Sequence, residues 1–331
     1  MINNPRLVFD YGAVSVTGNV RTSNQDSAYA GPNLLLVADG MGGHAGGDIA
    51  STITVTTLSP LDALAAPRGI LRTRLDVKQA TNALENGIEQ VYNEIVNAAQ
   101  KNFELSGMGT TVTAILRADD SFVTAHLGDS RAYLLHNGEL TQLTTDHTFV
   151  QHLVDSGKIT QAEARVHPRK NVVMRVLGDF DVDYMPDLSF RLIQRGDRYL
   201  LSSDGVSGVL DDDTMRTALL EVQNPEEAAR KLVDLAIEAG STDNCTAVVA
   251  DVVDNRTKNK SYSQTPNFLG AAHNSIQEYL ETIVDSEPSR AAENAEDEKT
   301  VVAETGAQED KVSRIHALIR KLTNRGDAGE D

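Results

Sequence analysis

Apolar residues along the chain fall into short runs that have the length and composition of buried β-strands. Each run is rich in Val, Leu, Ile, Thr or Tyr and is bounded by Gly, Asp or Asn, which favour turns. Continuous apolar runs of this kind predict strands that are buried on both faces. The runs are Leu34–Val37, Thr111–Leu116, Phe122–His126, Ala132–Leu135, Tyr199–Leu201 and Thr246–Val253.

Other segments show the periodicity and the end signals of helices. Thr160 begins a Thr-x-x-Glu capping box, and Asn224 is a cap residue followed by proline in the first turn. Gly240 is well placed to end the helix that Asn224 begins. A longer helix is predicted by apolar residues three or four positions apart. These residues are Val77, Ala80, Leu84, Ile88, Val91 and Ile95.

The order of these elements favours a layered α+β fold, because adjacent strands and grouped helices replace strict strand–helix alternation. The composition changes near Asp254, where we place the end of the folded domain. Within the tail, Asp285–Asp310 has the composition of a disordered linker. Two short amphipathic stretches, Ser275–Val284 and Val312–Leu322, flank this linker. The second is basic, although a solvated end explains it better than a membrane or partner contact.

Charge and cysteine content restrict the class of protein. The formal net charge is −18, of which the tail from residue 255 contributes only −4. An acidic folded part argues against nucleic acid as a partner and is compatible with divalent cations. The single Cys245 excludes an intramolecular disulfide, which suits a reducing compartment. Met1–Asp10 has no secretory pattern and no apolar run is long enough to span a bilayer, so cytoplasm is expected.

Aspartates occur repeatedly at the ends of the apolar runs. Asp39 and Asp204 each precede a glycine directly after a run, Asp129 follows another, and Asp243 comes just before the last one. Carboxylates that converge in this way would repel one another without a cation, and oxygen ligands favour Mg²⁺ or Mn²⁺. Asp-Gly also makes ordinary turns, and the spacing alone does not exclude that interpretation for any one pair.

Two further motifs precede or follow the first of these aspartates. Arg21 lies in a polar segment before Asp26, and a guanidinium can bind a phosphate through two parallel hydrogen bonds. The segment Asp39–Gly47 contains five glycines, which let the backbone approach a ligand closely. It is not a phosphate-binding P-loop, because the Gly-Lys-Ser/Thr ending is missing.

Together these segments resemble the metal-dependent (type 2C, or PPM) serine/threonine protein phosphatases of bacteria. The resemblance implies a four-layer α-β-β-α sandwich of two antiparallel sheets, with residues 7–254 as the catalytic domain and a helical flap at about Thr145–Leu177. Beyond the resemblance, the composition predicts an acidic, largely disordered tail at 255–331 with two short amphipathic helices. The motifs occur in the family's order, and they are Arg21–Asp26, Val37–Gly47, Gly107–Thr111, His126–Tyr133, Leu177-Gly178, Gly196–Gly205 and Ser241–Val249.

The resemblance further implies two Mn²⁺ or Mg²⁺ ions in the catalytic site and a weaker third. Asp39 would bridge the first two ions, and the Gly40 carbonyl would complete the ligands of the second. Asp204 and Asp243 would hold the first ion, and Asp129 would contribute to the third. The implied reaction is hydrolysis of phosphoserine or phosphothreonine by a metal-activated water, without a phosphoenzyme.

In this resemblance Arg21 would bind the substrate phosphate, Asp26 would orient the attacking water, and His44 would be the general acid. Two positions depart from the family pattern. Gln25 stands where glutamate is usual, which lowers the charge beside the second ion. Gly208 stands where some relatives have a further carboxylate for the third ion.

The expected partners are phosphorylated proteins, among them bacterial Ser/Thr kinases and their substrates. Deletion of residues 255–331 is expected to leave peptide hydrolysis intact. Two other functions stay open. One is a regulator that binds phosphoproteins but turns over poorly, which Gln25 favours. The other is a metal-dependent hydrolase of small phosphate esters or nucleotides.

Overall fold

Two antiparallel β-sheets form the centre of the computed structural model, which describes residues 7–43, 46–66, 74–178, 183–254 and 266–277. The first sheet has the order β1-β12-β11-β7-β8. The second has the order β10-β6-β5-β3-β2-β13, with the short β4 and β9 attached beside β3. The strands are β1 (Leu7–Val16), β2 (Asp26–Ala30), β3 (Leu34–Met41), β4 (Gly109–Thr110), β5 (Val112–Ala118), β6 (Ser121–Leu127), β7 (Arg131–His136), β8 (Glu139–Gln142), β9 (Leu177–Gly178), β10 (Asp187–Leu192), β11 (Arg198–Ser202), β12 (Cys245–Asp254) and β13 (Asn267–Gly270).

The central strands are buried on both faces, as their continuous apolar runs predict. In β3, Leu34 and Leu36 face the helices, whereas Leu35 and Val37 face the other sheet. Successive side chains of a strand point to opposite faces, so each run supplies two separate layers of the core. All six sequence-predicted strands are confirmed as parts of β3, β5, β6, β7, β11 and β12.

Helices cover the outer face of each sheet. Helices α1 and α3 pack on the second sheet, and α7 and α8 pack on the first. This confirms the four-layer α-β-β-α sandwich. Within the described ranges, no helix is both long enough and apolar enough to cross a membrane. The helices are α1 (Gly46–Leu58), α2 (Pro60–Leu64), α3 (Val77–Lys101), α4 (Phe149–Asp155), α5 (Gln161–Val166), α6 (Asp204–Ser207), α7 (Asp212–Glu221) and α8 (Pro225–Glu238).

The helix ends follow the predicted chemistry. The Thr160 side chain accepts from the Glu163 amide and the Glu163 carboxylate accepts from the Thr160 amide, which completes the capping box of α5. The Asn224 side chain accepts from the first free amides of α8. Gly240 follows that helix with a φ of 89°, a conformation that favours glycine. Helices α4 and α5 lie between β8 and β9 and form the predicted flap.

The topology brings the candidate residues to one edge of the sandwich. Strand β3 ends near Asp39, and antiparallel pairing places Asp26, at the start of β2, opposite it. Strand β6 runs in the same direction as β3 and leads to Asp129. In the first sheet, β11 leads to Asp204, while the antiparallel β12 begins just after Asp243. Antiparallel pairing therefore gathers segments that are distant in sequence.

The second sheet gains a strand from beyond residue 254, where the change of composition predicted the end of the folded domain. Strand β13 pairs with β2, and residues 271–277 continue it as a helical turn. Phe268 and Leu269 are the apolar residues that pack β13 against the core. Two apolar residues among polar neighbours are too few to predict a strand from the sequence. The predicted helix at Ser275–Val284 is described only to residue 277. The linker Asp285–Asp310 and the stretch Val312–Leu322 lie outside the described residues.

Candidate active site

Asp26 and Asp39 face each other across the pair β2–β3 at the centre of the site. The Asp26 carboxylate is buried, and its Oδ2 accepts hydrogen bonds from Ser203 Oγ at 2.8 Å and Thr246 Oγ1 at 2.6 Å. Its Oδ1 has no hydrogen-bond partner among the described residues. A buried carboxylate oxygen without a donor is costly, so this atom is suited to a water or a cation.

Burial, together with the nearby charges of Asp204 and Asp243, raises the pKa of Asp26 to about 7, although the hydrogen bonds from Thr246 and Ser203 oppose the shift. A carboxyl group with this pKa can hold or release a proton near neutral pH. The family resemblance marked Asp26 as a candidate. The structure adds the hydroxyls of Ser203 and Thr246, which fix its orientation.

The Asp39 and Asp204 carboxyl groups lie close enough for each to affect the protonation of the other. Burial raises the pKa of both groups, and neighbouring aspartates raise it further. Two ionised carboxylates at this separation repel each other, because both carry a negative charge and neither can donate a hydrogen bond. A divalent cation between the same oxygens would satisfy both charges, and the donor set is the oxygen-only type that Mg²⁺ and Mn²⁺ prefer.

Asp129 and Asp243 complete the acidic cluster from two other segments. Burial, followed by the charge of Asp204, raises the pKa of Asp129 well above its usual range, while Arg131 opposes the shift. The charge of Asp243 acts on Asp26, Asp39 and Asp204. All four sequence-predicted aspartates therefore lie close enough to act on one another.

The side chains nonetheless form no finished coordination shell. Over the described ranges, three or more His, Cys, Asp or Glu side chains are nowhere gathered tightly enough to enclose a metal ion. The neighbouring aspartates nonetheless raise the pKa values of Asp39 and Asp204, which shows that these charges act on one another. A cation bound between them would offset this repulsion.

Gly40 and Gly205, which follow Asp39 and Asp204, are required by close backbone approach. Neither has a positive φ, so the turn interpretation does not explain them. A Cβ on Gly40 would overlap the carbonyl oxygen of Gly47, and a Cβ on Gly205 would overlap that of Asn244. Each Asp-Gly pair thus marks a point where a second segment packs directly against the strand end.

Arg21 lies beside the acidic cluster, where its Nη2 donates to Asp243 Oδ2 at 2.7 Å. The side chain is half-exposed, and the hydrogen bond that it donates to Asp243 raises its pKa. The structure therefore places Arg21 at the edge of the site that faces solvent. Its guanidinium has five N–H donors, and this contact uses only Nη2. The remaining donors can reach a phosphate from the same position.

Asn244 is a site residue that the sequence did not reveal. Its Oδ1 accepts from the Gln25 amide, and its Nδ2 donates to the carbonyls of Thr17 and Ser23. One buried amide thereby fixes the loop that carries Arg21. The sequence could have indicated this role, because an asparagine stands between Asp243 and a predicted strand. Its side-chain amide can both donate and accept hydrogen bonds.

The predicted flap is anchored to the segment that carries Asp129. Arg131 makes a bidentate ion pair with Asp146 at the flap root, with distances of 2.6–3.1 Å. His147 accepts from the Gly128 amide through Nδ1 and donates its own amide to the Gly128 carbonyl. These bonds therefore hold the root of the flap against the turn that carries Asp129.

A pocket of 430 Å³ opens between the flap and the α6–α7 connection, beside the acidic cluster. Asp129 and Asp204 line it, and Arg165 and Lys170 line it from the flap. It is large enough for a peptide side chain and lies next to the candidate metal ligands.

His126 lies beneath the flap root and gives the fold an expected pH dependence. Its Nε2 donates to the Thr145 carbonyl, and burial, followed by the charge of His147, lowers its pKa to about 4. A lowered histidine pKa means that the unfolded chain binds more protons, so stability falls as pH drops from 6.5 toward 4. Between pH 7.5 and 5 this group should cost about 2 kcal/mol.

The His126→Asn variant keeps a donor and an acceptor but does not titrate. We expect its free energy of unfolding in urea to fall about 2 kcal/mol less than that of the unaltered protein between pH 7.5 and 5. Equal pH dependence in the two proteins would show that His126 does not hold its lowered pKa in solution.

Three predicted features have different outcomes. His44 lies outside the described residues, so its role as general acid stays a prediction. Gln25 lies within the site, with its carbonyl accepting from the Gly40 amide and from Ser51 Oγ at 2.6 Å. A Cβ on Gly208 would come within 2.5 Å of the Asp204 carbonyl oxygen. A carboxylate therefore cannot be placed at residue 208 without a backbone shift.

Comparison with known proteins gives one consistent result. The profile of the family Protein phosphatase 2C matches residues 17–245. The serine/threonine protein phosphatase PstP of Mycobacterium tuberculosis is 43% identical over 318 residues, which cover 96% of this chain and 58% of PstP. The chain thus spans under two thirds of the length of that relative. The serine/threonine phosphatase stp of Listeria monocytogenes is 35% identical over 244 residues, covering 71% of this chain and 92% of stp.

Solved structures agree with these sequence relatives. The crystal structure of the catalytic domain of PstP in complex with two manganese ions superimposes with a TM-score of 0.66 at 44% identity. It covers 75% of this chain and all of that domain. A Staphylococcus aureus serine/threonine phosphatase, Stp1, has a TM-score of 0.65 at 33% identity and covers 73% of this chain.

Proposed function

The chain belongs to the protein phosphatase 2C family, and from that premise we propose that it hydrolyses phosphoserine and phosphothreonine in proteins in a metal-dependent reaction. The observation that carries the proposal is the convergence of Asp39, Asp204, Asp129 and Asp243 on one edge of the sandwich. Three of these carboxyl groups have raised pKa values, as expected where cations normally balance the charge.

Two Mn²⁺ or Mg²⁺ ions would be held by Asp39, the Gly40 carbonyl, Asp204 and Asp243. Asp129 would contribute to a weaker third ion. When bound, the ions supply Lewis-acid chemistry, which polarises the phosphate and promotes deprotonation of water. The oxygen-only donor set supports this assignment. The obstruction at Gly208 supports weak binding of the third ion, since a further carboxylate is not accommodated there.

The remaining residues bind the substrate and move protons. Arg21 would bind two phosphate oxygens, which requires that its ion pair with Asp243 gives way when phosphate and cations arrive. Asp26 would orient the attacking water through Oδ1 while Ser203 and Thr246 fix Oδ2. Its pKa of about 7 suits the acceptance of a proton. His44 would protonate the leaving oxygen, as the family resemblance implies.

We further propose that the protein acts in the cytoplasm and opposes Ser/Thr kinases in signalling. A single buried cysteine and an acidic surface support a reducing, intracellular setting. The names of the relatives support phosphorylated proteins as substrates. A poorly active, phosphoprotein-binding regulator is the second candidate, and Gln25 is the residue that favours it.

The test is hydrolysis of a phosphothreonine peptide by the full chain in EDTA, Mg²⁺ or Mn²⁺, with 4-nitrophenyl phosphate and a nucleotide measured alongside. We expect no turnover in EDTA and recovery with Mn²⁺ or Mg²⁺, because the clustered carboxyls need a cation to act together. Peptide binding without turnover would favour the regulator. Faster turnover of the nucleotide than of the peptide would favour a small-ester hydrolase.

A further inference from the structure

The C-terminal segment 267–277, which we term the strap, lies along the strand that carries Asp26. Strand β13 pairs with β2 in antiparallel register from Asn267 opposite Ala30 to Gly270 opposite Ser27. The Phe268 ring packs edge-on against Tyr29 with the ring centroids 5.1 Å apart. Without the strap, β2 would be the edge of its sheet, since its only other partner is β3 within the described part of the chain.

The strap reaches the catalytic end of β2 through backbone contact. Gly270 has a φ of 66°, and a Cβ there would overlap the carbonyl oxygen of Asp26. That Cβ would also lie 3.0 Å from Ser15 Oγ. Glycine is therefore required on both conformational and steric grounds. The strap thus packs directly against the backbone of a candidate catalytic residue.

A chain of hydrogen bonds leads from the strap to Gln25. The Ala272 amide donates to Ser27 Oγ at 3.0 Å, and Ser27 Oγ lies 2.9 Å from Ser51 Oγ. Ser51 Oγ donates to the Gln25 carbonyl at 2.6 Å. The carbonyl of Gln25 also accepts from the Gly40 amide, so the chain ends at the proposed second-metal ligand.

Burial shows that the strap is integrated into the core. Ala272 is fully buried in the cluster between the second sheet and its helices, and Ala271 is 3% exposed. Ala28 and Ala30 of β2 are also fully buried in the presence of the strap. By contrast, His273 and Asn274 on the same segment are exposed.

From these contacts we propose that the strap is a positioning element of the active site and is required for full turnover. The inference rests on the phosphatase function proposed above, and it opposes the expectation that residues 255–331 are dispensable for hydrolysis. Pairing with the strap fixes β2, and β2 sets the position of Asp26 against Asp39. Release of the strap would lower activity without removing a catalytic group, so the tail can regulate the site.

The test uses two full-chain variants that disturb the strap at independent points. Gly270→Val introduces a side chain against Asp26 in a strained conformation, and Ala272→Lys places a charge in the core. His273→Ala is the matched control on the exposed side of the same segment. The measurements are kcat and KM for a phosphothreonine peptide with Mn²⁺, the thermal unfolding midpoint, and amide hydrogen exchange over residues 26–30.

We expect both strap variants to lose exchange protection over residues 26–30 and to show kcat lowered about tenfold, with KM within about twofold. His273→Ala should match the unaltered protein. Loss of protection with unchanged kcat in either variant would overturn the proposal. Unprotected amides in the unaltered protein would overturn it too. If the unaltered protein does not hydrolyse the peptide, the proposed function fails, whereas the exchange measurement still tests docking of the strap.

Discussion

Replacement of Asp39 by asparagine should reduce kcat for a phosphothreonine peptide by on the order of a thousandfold at saturating Mn²⁺. Asp39 lies opposite Asp26, and its pKa is raised by the charge of every other carboxylate of the cluster. Its removal takes away the central charge that would bind the cations. The amide has almost the same shape, so the substitution tests charge rather than packing.

The same variant should be more stable than the unaltered protein in EDTA. Burial and neighbouring carboxylates raise the pKa of Asp39, which means that its ionised form disfavours the folded state. Neutralisation removes this repulsion, whereas addition of Mn²⁺ should no longer raise the unfolding midpoint. Asp234→Asn, on the exposed face of α8, is the matched control and should change neither property. Retained turnover in Asp39→Asn would refute the assigned ligand set.

Replacement of Gly205 by alanine should destabilise the fold by about 3 kcal/mol, near the upper end of the range for overpacking a core. The added Cβ would overlap the carbonyl oxygen of Asn244 and would lie 3.3 Å from Cys245 Sγ. Cys245 of β12 is paired with Val16 of β1, and the Asn244 atom is backbone directly before β12, so the contact cannot be relieved as it could at the end of a flexible side chain. Urea unfolding monitored by fluorescence or circular dichroism measures this loss.

Gly43→Ala is the control for Gly205→Ala, because apart from its chain neighbours no atom of the described residues lies within 4 Å of the position that its Cβ would take. We expect its free energy of unfolding to change by less than about 0.5 kcal/mol. If Gly205→Ala were equally harmless, the close contact between α6 and the start of β12 would not exist in solution. The assignment of Asp204 and Asp243 to one ion would then lose its structural basis.

Much of this fold is predictable because its core strands are buried on both faces. Strands β5 and β12 are continuous runs of mainly apolar residues. An amphipathic helix of the same length would instead have polar residues along one face. Helix α1 was not predicted, because it is rich in Thr, Ile and Val, which favour strands. Tertiary packing overrides this preference, since eleven of its thirteen residues are buried.

The sequence predicted the carboxylates of the candidate site, but it did not predict the polar groups that orient them. The aspartates stand out because a charge at the end of an apolar run is conspicuous. Ser203, Thr246 and Asn244 orient the site through hydrogen bonds across different segments, and such long-range pairs leave no local pattern. The Asp-Gly pairs were ambiguous between turn and site, and only three-dimensional packing distinguishes these alternatives.

The pairing of β13 with β2 also bears on how the protein behaves at high concentration. An unpaired strand at a sheet edge presents free amide and carbonyl groups that can pair with another molecule. Strand β2 has neither a charge nor a proline between Ser27 and Ala30, so it lacks two of the features that keep exposed edges apart. The segment that orders the active site therefore also protects the protein from edge-to-edge aggregation.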